Sequence, residues 1–124
     1  MLPETLYKCL ENDCIVAIAT ADADGHPHLV NTWNKYVMVT KDDELLIPCA
    51  GYRKTESNIK SNPYVEITIG SPEVKGKKYL GTGFLLTGTA EFQSEGPLFE
   101  RMHSVRKFCN RVMVFTPETC KQMV

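Results

Sequence analysis

Six short runs with strand character, three short helical runs in the connections between them, and turn signals spaced too closely for crossover helices predict a mainly β chain. Its strands are expected to run antiparallel and to close, or nearly close, into a barrel. At 124 residues the chain is expected to form a single domain over residues 1–124, large enough for a true core and too small for one copy to bury a large ligand.

The elements follow in order. Pro3 stands where a first helical turn tolerates it, and Leu2, Leu6, Cys9 and Leu10 recur at helical spacing, which predicts a short amphipathic helix. "CIVAIAT" (14–20) is a compact run rich in branched residues, and Asp24-Gly25 in "ADADGHP" is a hairpin turn signal. The return arm is "HLVNTWNKYVMVT" (28–40), which "KDDE" turns into a third strand, "LLIP" (45–48). A short helix is expected over 56–60, with Thr55 as its N-cap and Asn62-Pro63 as its end. "YVEITIGS" (64–71) alternates as a fourth strand, and the glycines and lysines of "PEVKGKKYLGTG" predict a long loop. "FLLTGTAEFQ" (84–93) is the fifth strand, with Gly88 a bulge or bend. Leu98, Met102, Val105 and Phe108 or Cys109 share one face of a third helix that Pro97 can start, and "VMVFT" (112–116) is the sixth strand.

Composition narrows the function classes. Hydrophobic residues make up 43% and charged residues 23%, ordinary values for a globular protein. The net charge of -1 and the lack of a basic stripe argue against a nucleic-acid footprint. The five cysteines, at 9, 14, 49, 109 and 120, form no C-x-x-C pair, so neither a disulfide framework nor a zinc-ribbon spacing is present. Reduced intracellular thiols are expected. The N-terminus "MLPETLYK" has no basic leader region and no apolar run approaches a membrane span, so the expected location is the cytoplasm.

Two stretches can carry chemistry. In "IPCAGYRKTESNIKSNP" (47–63) a strand runs into Cys49, Ala50 and Gly51, a corner so bare of side chains that its backbone can approach a ligand closely. Arg53, Lys54 and Thr55 follow at a helix start, where free N–H groups, the helix dipole and a lysine together attract anions, phosphate above all. Alternatively the same residues are a solvated loop that caps a helix and carries two surface cations. In the second strand, Asn31, Thr32, Trp33 and Asn34 put polar groups on both faces beside the only tryptophan. A ligand rich in donors and acceptors would satisfy them and Trp33 would offer a flat face to a planar ring, or else Trp33 is core and the asparagines sit at a barrel rim.

Other residues point less far. His26-Pro27-His28 reads as an exposed turn, because no Cys, Asp or Glu stands at a metal-ligand spacing, and no metal is expected. His103 reads as packed or solvent-facing, and Cys49 as small filler or a ligand neighbour. There is no G-x-S-x-G, no phosphate-binding P-loop and no paired-carboxylate arrangement, so no catalytic side chain is assigned.

Taken in order, "VAIAT", "DGHPHLVNTWNKY", "IPCAGYRKTESNI", "VEITIGS" and "GTGFLLTGTAEF" closely resemble the small FMN-binding split-barrel proteins of the pyridoxamine 5'-phosphate oxidase-like superfamily, most nearly the compact FMN-binding proteins of sulfate-reducing bacteria. The resemblance runs almost end to end. It implies a six-stranded antiparallel split barrel that forms a homodimer, with one FMN at each end of the interface. Asn31, Thr32 and Trp33 match the strand beside the flavin. Pro48, Cys49, Ala50 and Gly51 match the corner whose backbone reaches the ring system, and Lys54 and Thr55 match the phosphate clamp. Tyr36 and Phe108, an aromatic late in the last helix, match side chains near the isoalloxazine, although a tryptophan stands at the second position in the nearest relatives.

The function implied is a redox flavoprotein that moves electrons through non-covalent FMN, in exchange with a redox partner protein or NAD(P)H. An alternative is an enzyme of the same fold, an NAD(P)H-dependent flavin reductase or a pyridoxamine 5'-phosphate oxidase-like oxidoreductase. A third is a binding module that has lost its cofactor and holds another planar ligand or a protein.

Overall fold

The computed structural model describes residues 2–124, in the order α1 (Glu4–Leu10), β1 (Ile15–Ala21), β2 (Pro27–Trp33), a 3-10 turn (Asn34–Tyr36), β3 (Met38–Val39), β4 (Leu45–Cys49), α2 (Arg53–Ser61), β5 (Tyr64–Lys75), β6 (Leu80–Gln93), α3 (Pro97–Val105) and β7 (Arg111–Gln122). The strands form one seven-stranded sheet in the order β2-β1-β5-β6-β7-β4-β3. Every neighbouring pair is antiparallel.

That order carries the shape. β2 and β3 are the two edges of the sheet, yet only residues 34–37 separate them in sequence. A link this short can join opposite edges only if the sheet curls until they meet, which gives a barrel split along one seam. At the seam the buried side chain of Asn34 points inward, and its Nδ2 donates to Cys9 O (2.9 Å), Asn12 O (2.8 Å) and Gly70 O (3.0 Å). Its own N–H donates to Cys14 O at 2.9 Å. One amide therefore ties the seam to the end of α1, to the segment entering β1, and to β5.

The barrel interior is filled by alternate residues of the strands, among them Ile18, Ile47, Ile67, Ile69, Phe84, Leu86, Met113 and Phe115, with Leu6 and Cys9 of α1 closing one end. A smaller cluster of Leu46, Met102, Cys109, Val112 and Val114 lies under α3. Among the described residues no helix is long and apolar enough to cross a membrane.

The structure departs from the sequence expectation in five places. The arm expected as one strand over 28–40 breaks at the 3-10 turn, so there are seven strands rather than six. The loop expected at 72–83 is mostly strand, since β5 and β6 continue to the pair Lys75↔Leu80 around an irregularity after Ser71. β7 runs on to Gln122 because its polar second half lies on the barrel's outer surface, paired with β6 as far as Phe84↔Gln122. α2 begins at Arg53, with Tyr52 rather than Thr55 at the N-cap position; Thr55 is its third residue and fully buried. α3 ends at Val105, which is exposed, and Phe108 stands in the turn beyond it instead of inside the helix. The expected irregularity at Gly88 is present, where the β6–β7 register shifts between Thr87 and Gly88 and a Cβ would lie 2.0 Å from Thr116 O.

Asn34→Ala removes the donor that three carbonyls share; Cys9 O keeps the N–H of Asn12 (3.1 Å), while each buried acceptor left alone costs about 1–3 kcal/mol. Urea unfolding is expected to show a loss of about 2–4 kcal/mol, against less than about 0.5 kcal/mol for the exposed Asn31→Ala. An Asn34→Ala loss as small as that of Asn31→Ala would contradict the role given to this amide.

Candidate functional site

The seam that Asn34 closes also sets the end of β4 beside the end of β2. β3 pairs with β4 only at Met38↔Leu46 and Val39↔Leu45, so from Ile47 onward that side of β4 has no partner. Cys49 O accepts from Asn110 N (3.0 Å) and therefore faces β7; in an antiparallel ladder Pro48, one residue back, faces the open side. There its missing N–H breaks no ladder bond, which is why a proline is tolerated in a strand with neighbours on both sides.

A cleft of about 210 Å3 opens at this point. Asn31, Thr32, Trp33 and Tyr36 line one wall; Pro48, Ala50, Gly51 and Tyr52 line the other, and Phe108 completes it. Trp33 is 46% exposed and Phe108 51% exposed, so neither is core and both present ring surface to whatever enters. Tyr36 packs against Phe108 with ring centroids 5.5 Å apart at 44°, and the Arg106 guanidinium lies 4.5 Å from the centre of the Tyr36 ring. Arg106 also donates to Lys35 O at 3.0 Å, which holds this aromatic wall to the 3-10 turn.

The opposite wall turns sharply. Tyr52 has φ 60° and ψ 33°, a left-handed conformation that costs a residue with a Cβ about 1–2 kcal/mol. Its hydroxyl donates to Asn31 O at 2.6 Å, so one side chain ties the corner to β2 across the seam. Burial pushes the Tyr52 phenol above its ordinary pKa, keeping it a neutral donor. The reversal at Tyr52 sends the chain directly into α2. The first intrahelical bond, Glu56 N to Tyr52 O (2.9 Å), leaves the N–H groups of Arg53, Lys54 and Thr55 without an acceptor among the described residues.

Charge at this helix start is sorted. Glu56 sits between Arg53 (3.3 Å) and Arg111 (2.9 Å) and is neutralised by them. Lys54 is exposed and makes no ion pair among the described residues, so its charge is available to an anion together with the free N–H groups. Thr55 is 0% exposed and its hydroxyl has no hydrogen-bond partner among the described residues. Thr32 is likewise buried, beside the Tyr52 hydroxyl, which donates to Asn31 O and can still accept from Thr32. Buried hydroxyls are normally bonded, so that of Thr55 at the α2 start suits an arriving polar ligand.

Of the residues singled out by sequence, Asn31, Thr32, Trp33, Tyr36, Pro48, Ala50, Gly51 and Phe108 meet at this cleft, while Lys54 and Thr55 stand at the adjoining helix start. Cys49 does not line it. Its side chain points into the core and donates to Ile47 O at 3.4 Å, and burial pushes its thiol up to about 12. Sequence reasoning missed Tyr52, Arg106 and Arg111, whose roles depend on a positive φ and on long-range contacts that no local pattern encodes. His103 is packed, with Nδ1 2.9 Å from Cys109 O and the ring stacked on Phe99. The turn before β2 brings Asp22, Asp24 and His26 within 4.8 Å of one another, where Asp22 Oδ1 accepts from the N–H groups of Asp24 and His26, both at 2.9 Å. A wider cleft of about 450 Å3 lies near Leu2 and Cys120 and carries Asp43 and Glu118.

The chain matches the family described as "Pyridoxamine 5'-phosphate oxidase" over residues 2–123. It is 42% identical over 122 residues to an "FMN-binding protein" of Nitratidesulfovibrio vulgaris (strain DSM 19637 / Miyazaki F), covering 98% of each chain. Among solved structures it is similar to HupZ of Group A Streptococcus, with a TM-score of 0.82 at 21% identity over 99% of this chain and 94% of that one. It is also similar to HutZ, titled the heme storage protein of Vibrio cholerae, with a TM-score of 0.66 at 14% identity over 96% and 91%. These structural likenesses speak for the split-barrel fold alone.

The thiols supply a check on the placement of the corner. In the native protein at pH 8, iodoacetamide is expected to label Cys14 and Cys120, which are partly exposed, and to spare Cys9, Cys49 and Cys109 until denaturant is added. Early labelling of Cys49, read by peptide mass mapping, would mean that its side chain faces the cleft.

Proposed function

The chain belongs to the pyridoxamine 5'-phosphate oxidase family, and from that premise we propose that it is a flavoprotein holding non-covalent FMN in the cleft between β2 and the β4–α2 corner. The observation that carries this reading is a split of the site into two chemistries that match the two halves of FMN. The bare corner and the exposed Trp33 and Phe108 suit a flat ring system; the α2 start, with Lys54 and three free N–H groups, suits a phosphate. The high identity to a relative named an FMN-binding protein supports the same ligand.

A phosphate monoester carries about -1.5 to -2 charges at pH 7, which one lysine, a helix N-terminus and a hydroxyl can largely offset. A micromolar dissociation constant corresponds to about -8 kcal/mol, more than phosphate contacts alone supply, so the ring must be buried as well. The cleft of one chain, about 210 Å3, is smaller than the roughly 300–1,000 Å3 of pockets that bury drug-sized ligands. We therefore assign the chain to a homodimer in which a second copy covers the ring over Trp33 and Phe108.

Bound FMN supplies electron transfer at its isoalloxazine ring. The chain's own part is to orient that ring against Pro48, Ala50 and Gly51, to exclude water with its aromatic wall, and to fix the phosphate with Lys54. Among the described residues at the cleft, Tyr52 is held neutral and bonded and Cys49 faces away, so neither is poised as a general acid or base. An electron carrier serving a redox partner is thus the favoured role. The enzyme reading, a flavin reductase using NAD(P)H or an oxidase, draws on the family description and on the exposed rings at the cleft mouth. NAD(P)H oxidation by the FMN-loaded protein at rates well above those of free FMN would favour it over the carrier.

Lys54→Ala is expected to weaken FMN binding by about tenfold to a hundredfold, the worth of a hydrogen bond to a charged group, and to leave riboflavin binding within about threefold. Fluorescence titration reads both. Equal losses for the two flavins would place the phosphate elsewhere.

A further inference from the structure

We propose that Arg111 is a positioning residue for the ligand site, a buried cation that holds the β4–α2 corner with its carbonyls inward and its amides outward. The inference rests on the flavin reading above and goes beyond it, to a residue that does not itself line the cleft.

Arg111 is the first residue of β7, lies opposite Cys49 and is 6% exposed. Its guanidinium donates to Ala50 O (3.3 Å), to Gly51 O and to Asn110 Oδ1, while Nε stands 2.9 Å from Glu56 Oε1. The guanidinium carbon lies 5.2 Å from the centre of the Phe92 ring. The side chain thus reaches from the two smallest residues of the corner to the first turn of α2. A planar guanidinium can donate to the oxygens of Ala50, Gly51 and Asn110 while it ion-pairs with Glu56; a lysine ammonium, with one centre, cannot span them.

The orientation of the corner follows from peptide geometry. In a trans peptide the carbonyl of one residue and the N–H of the next point in opposite directions. With the carbonyls of Ala50 and Gly51 turned onto Arg111, the N–H groups of Gly51 and Tyr52 must turn away from it. Neither N–H has an acceptor among the described residues, and both residues line the cleft, whereas Arg111 does not. Together with the free N–H groups at the start of α2, they form a run of backbone donors of the kind that binds anionic and carbonyl oxygens. Donation by a cation to the far side of each peptide polarises it and strengthens the N–H as a donor.

Arg111 also explains how Tyr52 keeps its left-handed backbone. The carbonyl held by Arg111 lies just before it and Glu56, held by the same guanidinium, lies one turn after it, so the reversal is clamped on both sides. Without the clamp the corner would be free to relax from the strained conformation, and the amides would lose their common direction.

The test compares Arg111→Met, Arg111→Lys and Lys54→Ala with the unaltered chain, by titration of each apoprotein with FMN and with riboflavin, by far-UV circular dichroism, and by the reduction potential of the bound FMN. Arg111→Met is expected to weaken both flavins by about tenfold or more while Lys54→Ala weakens FMN alone, because the corner serves the ring and Lys54 the phosphate. Arg111→Met should also lower the potential, since a buried cation behind the corner would favour the more negative reduced form of a flavin held there. Arg111→Lys keeps the charge but not the fork, and is expected to bind both flavins at least about threefold more weakly than the unaltered chain. A folded Arg111→Met that binds both flavins within about twofold and keeps its potential overturns the proposal; a role in stability alone would give that pattern with a lower melting temperature. Should Arg111→Met fail to fold, Arg111→Lys decides by the same twofold criterion. If the unaltered chain binds neither flavin, the flavin reading itself fails, a result separate from any effect of Arg111.

Discussion

The buried amide of Asn34 joins the two edges of a sheet that would otherwise stay apart. β2 and β3 are the outermost strands, and the four-residue link 34–37 that brings them together is anchored by the Asn34 side chain to three carbonyls from separate parts of the barrel. The cost of leaving such carbonyls unpaired in the interior makes the anchorage cooperative with folding. Once the seam is fixed there, the end of β2 must lie beside the end of β4, because β4 is held to the rest of the barrel by β7. The cleft is the place where the short β3 stops and the seam is left open. Its walls are therefore set by the closure of the barrel and need no loop of their own.

Within that frame the two sides of the cleft are fixed differently. The aromatic side is held by stacking and cation–π contact among Tyr36, Phe108 and Arg106, close to the surface. The corner side is held from behind by Arg111 and from across the seam by the Tyr52 hydroxyl. The first arrangement suits a ring surface that a second subunit or a ligand can cover. The second suits a rigid array of backbone donors, which a ligand meets without having to order it, and preorganisation of this kind lowers the entropic cost of binding.

The parts of this design that are local in sequence were legible there. The hairpin turn at Asp24-Gly25, the bare corner at 49–51, the cation beside a helix start and the irregularity at Gly88 each follow from residue types at short spacing. Thr55 was misplaced as an N-cap because the true position is taken by Tyr52, a residue with no capping side chain whose left-handed backbone is sustained by contacts 21 residues away. Phe108 was placed in a helix because apolar spacing continued past Val105, where the chain in fact turns. The extension of β7 was hidden by its polar composition, since its outer half gains its stability from pairing with β6 and not from burial. Arg111 gave no signal at all: a lone arginine before "VMVF" looks like a strand flank until the fold sets it opposite Cys49.

The split-barrel fold houses proteins named for different ligands, FMN in one relative and heme in a structural neighbour, so the ligand must be decided by the cleft and not by the fold. The cleft is proposed to take a flavin with a phosphate. The visible absorption spectrum of the purified chain, before and after incubation with FMN and removal of the excess, tests it most directly. Two visible flavin bands are expected, with one FMN retained per chain. A colourless protein that FMN does not reconstitute, or a heme Soret band in place of the flavin bands, would contradict it.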